Sequence, residues 1–189
     1  MHVQRRSVYT ELEATAYHEA GHTVMAYLKS IRIVRVSIVA DEREGSLGHL
    51  LYSGKLGEEA AQGLTDSVRR RLLGQIQTAM GGLTAEYLFT GKRNINGAAG
   101  DLAIIESILP VLERTPEAAM ALTTELWKQT ETELNVARSW KMLHALAEYL
   151  LDRQPTLSGK DALEIVKAAD PEATEEQIDE LHGLLNREQ

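Results

Sequence analysis
Leu12, Ala16, Ala20, Val24 and Tyr27 are apolar positions recurring at helical spacing, and Thr10-Glu11-Leu12-Glu13 at their start has capping-box spacing. Together they predict a helix from about Glu11 to Lys29. The period then changes to two. Ile31 to Val39 is rich in β-branched residues, with Val34, Val36 and Ile38 alternating against Arg35 and Ser37, the pattern of a half-buried strand. After a polar turn at Asp41 to Gly45, Leu47 to Tyr52 can return beside it as a hairpin. Such an edge strand could pair with an extended peptide through main-chain hydrogen bonds.

Helical periodicity resumes from Gly57 to Phe89, with a break or bend expected at Gly81-Gly82. Gly91 to Gly100 is the one Gly/Asn-rich loop. It ends at Asp101, where a further helix begins, kinked or ended by Pro110. Pro116 opens a long helical stretch to about Leu151, with room for one break, and Pro155 stops it. Two shorter helices are expected near Ser158 and Thr174. The pattern is mostly helical, with one small sheet near the N-terminus.

Composition narrows the function. Apolar residues make up 43% of the 189, enough for a core in one domain. The formal charge is −8 and the one dense basic cluster is Arg69-Arg70-Arg71, which argues against nucleic acid as a partner. The chain has no cysteine, so disulfides and thiolate zinc sites are excluded. No apolar run approaches the ~18 residues of a membrane span, and Met1 to Ala14 lacks the apolar centre of a signal peptide. A soluble cytoplasmic protein is expected.

The sharpest chemical signal is His18-Glu19-Ala20-Gly21-His22. Residues four apart on a helix are separated by about 400° and about 6 Å, so both imidazoles leave one face. Two such nitrogens can hold Zn²⁺, with the intervening Glu19 near enough to act on a water as base. With six histidines in the chain, a chance H-E-x-x-H has an expectation of about 0.02. A catalytic zinc needs a third protein ligand. His2, His49, His144 and His182 have no helical relation to the pentad and read as ordinary surface or packed residues. Two carboxylates compete instead. Asp101 follows the glycine-rich loop but has a rival role as a helix cap. Glu86 lies on a helix that could pack on the first, where it could equally orient a histidine from behind. Physical reasoning leaves the two open.

AYHEAGHTVMAY, VRVSIV with SLGHLLY, MGGLTAEYLFTG and NGAAGDL occur in an order and spacing that resemble the peptidase domain of FtsH-type ATP-dependent zinc metalloproteases. ALAEYLLDRQPTLSGKDALEIV resembles its C-terminal helices, so the likeness runs from about Ala16 to Val166. The resemblance implies a mainly α, zincin-like peptidase domain with one small sheet over residues 1–189. A catalytic part would cover about 10–115 and C-terminal helices about 116–189. It also implies one Zn²⁺ per chain, held by His18, His22 and Asp101, with Glu19 as catalytic base and Glu86 as a supporting carboxylate or alternative ligand.

The departures are informative. Leu83 stands where the family has Arg after the Gly-Gly pair, and Ile105-Glu106 replaces the usual Ala-Thr. Against the family pattern, they imply that the subunit contacts and the cleft wall differ here. The 189 residues contain no G-x-x-x-x-G-K-S/T phosphate loop, hence no ATP site and no ATP-driven unfolding within them. Either a stand-alone relative kept only the peptidase or the chain is a piece of a longer one, and the start at Met1 favours the former. The function implied is a zinc-dependent endopeptidase that cuts flexible or unfolded polypeptides. The alternative is a binding or regulatory protein that retains the fold without catalysis. The partners implied are a polypeptide substrate and, beyond it, a separate ATPase or a second copy of the chain in a small homo-oligomer.

Overall fold
A computed structural model describes residues 8–39, 49–52, 63–95 and 97–172. Helix α1 (Glu11–Leu28) starts as the sequence predicts. The Thr10 side chain accepts from the Glu13 backbone N–H at 3.1 Å, and the Glu13 carboxylate accepts from the Thr10 N–H at 2.7 Å. Apart from Thr15, every residue from Ala14 to Tyr27 is buried. The single apolar stripe predicted for α1 is therefore incomplete, since the helix is covered on all sides. Leu12, placed in that stripe, is half exposed on the projecting first turn.

Strand β1 (Ile33–Ser37) is the centre of a three-stranded antiparallel sheet, flanked by β2 (His49–Tyr52) and β3 (Thr156–Ser158). The expected alternation fails within β1. A register irregularity between Ile33 and Arg35 turns Val34 outward, while Val36 and Ser37 are both buried. Ser37 tolerates burial because its hydroxyl is 2.7 Å from that of Thr156 on β3. β3 has no periodicity of its own to betray it; a three-residue strand is defined by its partner, 119 positions away at Ser37.

Helix α2 (Asp66–Thr90) is capped by Thr65 and runs unbroken through Gly81-Gly82, correcting the predicted break. The glycines serve a close helix crossing instead. A Cβ on Gly21 of α1 would lie 2.3 Å from the Gly81 carbonyl oxygen, and one on Gly81 would lie 2.6 Å from that of Gly21. Neither backbone could then remain in place. Leu83 and Ile105 are buried, Ile105 in apolar packing, and Glu106 is exposed.

Helix α3 (Ala99–Leu112) ends just past Pro110. It is followed by α4 (Pro116–Leu134), capped by Thr115, and α5 (Ala137–Asp152). The long C-terminal stretch thus does break once. Pro155 precedes β3, and Ser158 caps α6 (Gly159–Ala169). The turn at 41–45, the chain before Asp66 from 57 to 62, and the helix expected at Thr174 lie outside the described residues. The structure is mainly α with one small sheet. One apolar cluster joins α1 to α5, α6 and β1; a second lies between α2, α3 and α4.

A buried polar contact ties the end of α6 to α1. Asp170, whose side chain is wholly inaccessible, accepts from Arg138 Nε at 2.7 Å, from Arg138 Nη2 at 2.6 Å and from the Tyr27 hydroxyl at 2.9 Å. Burial pushes the Asp170 carboxyl up, but the Arg138 hydrogen bonds outweigh it and hold it below its ordinary value. Asp170→Ala takes the acceptor from the Tyr27 hydroxyl and leaves Arg138 only its pair with Glu172. It is expected to lower unfolding free energy in urea by about 1–3 kcal/mol, the scale for leaving a buried polar group unsatisfied. An unchanged midpoint would show that the contact contributes nothing.

Candidate metal centre
His18 and His22 lie one turn apart on α1, with ring centroids 4.7 Å apart and planes at 79°. Each ring uses its two nitrogens in opposite directions. His18 Nδ1–H donates to Glu86 Oε2 on α2 at 2.9 Å, and His22 Nδ1–H donates to the Thr78 carbonyl at 2.8 Å. Both Nε2 atoms are thereby turned towards Asp101, whose Oδ2 lies 3.1 Å from that of His18 and whose Oδ1 lies 3.2 Å from that of His22. The three ligand atoms fall within 4.8 Å of one another, and no other such group of His, Asp or Glu occurs among the described residues.

Asp101 reaches the histidines because it does not cap its helix. The N-cap of α3 is Ala98, which makes no side-chain hydrogen bond, and Asp101 sits in the first turn facing α1. Glu86 stands behind His18 rather than beside the Nε2 atoms, so the structure separates the two carboxylates that the sequence left open. Glu19 is buried next to His18, and its charge favours the protonated form of both imidazoles.

The electrostatics follow from this packing. Burial pulls the His18 imidazole down, but hydrogen bonds with Asp101 and Glu86 and the Glu19 charge overcome it and push His18 up to about 10. His22 is raised too: burial opposes, and the charge and hydrogen bond of Asp101 prevail. Asp101 shows the converse. Burial alone would raise its carboxyl, yet the charges and hydrogen bonds of His22 and His18 hold it well below the carboxylate range.

Does this set suit a metal? Donors on a tetrahedral zinc with bonds of about 2.0–2.2 Å lie about 3.4 Å apart. The Nε2–carboxylate spacings of 3.1 and 3.2 Å, each to a different Asp101 oxygen, are close to that. Two imidazoles and one carboxylate also leave one tetrahedral position for a reactant. Gly82 closes the α2 side: a Cβ there would lie 2.4 Å from His22 Nε2 and 2.6 Å from His18 Nε2. The residues present fit zinc.

Two contributors escaped the sequence reading. Thr78 acts through its carbonyl, which any residue type supplies, and Gly82 acts by what it lacks. His144 lies on α5, away from the convergent set. His2, His182 and the His49 side chain lie outside the described residues.

The model of peptidase family M41 matches residues 7–112, which include the pentad, Glu86 and Asp101. The ATP-dependent zinc metalloprotease FtsH of Corynebacterium glutamicum is 36% identical over 100 residues, 52% of this chain and 11% of that protein. FtsH of Buchnera aphidicola is 27% identical over 176 residues, 91% of this chain and 27% of that protein. The ATP-dependent zinc metalloprotease YME1L of Drosophila melanogaster is 37% identical over 97 residues, 50% of this chain and 12% of that protein. The chain therefore spans at most about a quarter of these relatives' lengths. Since the family model runs from just before α1 to the end of α3, over more than half of the sequence, this chain belongs to peptidase family M41.

Proposed function
We propose that the chain is a zinc-dependent endopeptidase cutting flexible or unfolded polypeptides, with His18, His22 and Asp101 as ligands and Glu19 as general base. The observation that carries this reading is the convergence of two imidazole Nε2 atoms and one carboxylate at one buried point. Zinc held there supplies Lewis acidity, making a water acidic near neutral pH and polarising the scissile carbonyl. The Glu19 carboxylate takes the water's proton as the oxygen bonds to the carbonyl carbon, then delivers it to the departing amine nitrogen. Glu86 and the Thr78 carbonyl hold each Nδ1–H, which fixes the tautomer and aims Nε2.

A panel of unstructured polypeptides, assayed with and without chelator, tests the reading. Cleavage that stops with chelator and returns with zinc is expected, while stably folded proteins resist, since the sequence carries no phosphate loop to drive unfolding. Zinc-loaded protein that cuts nothing would favour the non-catalytic alternative.

Metal uptake should be coupled to protons. A histidine raised by folding stabilises the metal-free protein fully below the unfolded value of 6.5 and loses that contribution as pH rises through about 10. At neutral pH His18 must therefore give up its proton to become a ligand. Titration calorimetry near pH 7.5, in buffers of different ionisation enthalpy, should find at least about one proton released per zinc and affinity rising with pH. Binding without proton release would contradict the geometry.

A further inference from the structure
Tyr17, immediately before the first proposed ligand, is held on two sides. Its ring stacks on Phe89 of α2, with centroids 3.8 Å apart and planes within 8°. Its hydroxyl is hydrogen-bonded to His144 Nδ1 on α5 at 2.5 Å, and the two rings meet edge-on at 5.4 Å. Phe89 stands one helical turn beyond Glu86, which accepts from His18. Consecutive residues 17 and 18 thus engage α2 one turn apart, from directions about 100° apart around α1. Each of these off-axis contacts resists rotation of α1 about its own axis.

His144 does not earn its place by packing. Its side chain is 54% exposed, whereas Tyr17 is buried. What it supplies is direction, because a hydrogen bond at the far end of the Tyr17 ring fixes the ring that the start of the metal-binding turn leans on. We propose that His144 is a positioning residue for the metal centre, acting through Tyr17 to set the rotation of α1 and the aim of His18 and Glu19. This rests on the zinc-peptidase reading above.

The test compares His144→Leu, which removes the hydrogen bond, with His144→Asn, which can restore it. His144→Leu is expected to weaken zinc binding, measured by chelator competition, about tenfold, the low end for outer partners of a metal ligand. It should lower kcat with KM unchanged and move Tm by no more than about 3 °C. His144→Asn should recover most of the affinity and turnover. Tyr17→Phe should match His144→Leu, with the double variant no worse than either single change, as expected for one shared interaction. Unchanged zinc affinity in His144→Leu overturns the proposal. So does a loss that follows Tm and is not rescued by Asn, the mark of a merely structural residue. If the parent protein takes up no zinc, the peptidase reading fails on its own. The positioning claim is then decided by the ¹⁵N shifts of the His18 imidazole in the metal-free protein. They should move in His144→Leu but not in His144→Asn, and shifts unmoved in both overturn it.

Discussion

Glu19→Gln is expected to keep the fold and the zinc affinity while peptide turnover falls about 10²- to 10⁴-fold, the range that a positioned general base contributes. Gln is nearly isosteric with Glu, so the buried site beside His18 stays filled. What is lost is a carboxylate that can accept the water's proton. Two secondary effects oppose each other: the Glu19 charge helps hold protons on His18 and His22, which compete with zinc, and the same charge attracts the dication. Zinc affinity at neutral pH should therefore stay close to that of the parent. A variant that cleaves at the parent rate would remove Glu19 from the base role, and one that loses zinc would show that it serves the site in another way.

Gly82→Ala is expected to abolish activity by a different route. Alanine normally stabilises a helix interior by about 1 kcal/mol over glycine. Here its methyl group would be driven into both Nε2 atoms, at 2.4 and 2.6 Å. The imidazoles can swing away only by leaving Asp101 or breaking their Nδ1 hydrogen bonds. Zinc affinity should fall by about 10- to 100-fold or more, as when the support of a metal ligand is removed. Gly21→Ala acts on the crossing of the two helices and not on the Nε2 atoms directly. Its Cβ meets the Gly81 carbonyl, so the two helices must separate, and stability should drop by about 3 kcal/mol, the upper range for overpacking. Chelator competition and thermal melts separate the two. Gly82→Ala protein with parent-like zinc affinity would show that the α2 backbone does not bound the site.

Why were some of these features legible in the sequence and others not? The first helix and the pentad were readable because capping and side-chain periodicity are local, and α1 ends within one residue of its predicted limit. The Asp101–Glu86 choice was not, because it depends on how α2 and α3 pack on α1. Residue types alone leave both roles open, and the resemblance rather than the chemistry selected Asp101. Gly81-Gly82 reads as a break although α2 runs through it, since a sequence shows the missing side chains but not the neighbour that occupies their space. Likewise Ser37 appears as the polar side of an alternating strand until Thr156 supplies a buried partner from the far end of the chain.

In the proposed centre His18, His22 and Asp101 together hold one zinc ion. Anomalous diffraction at the zinc absorption edge, from crystals grown with the metal, tests it most directly. One peak per chain is expected, about 2.0–2.2 Å from His18 Nε2, His22 Nε2 and an Asp101 carboxylate oxygen. A peak elsewhere, or one between the imidazoles with Asp101 turned away, would contradict it.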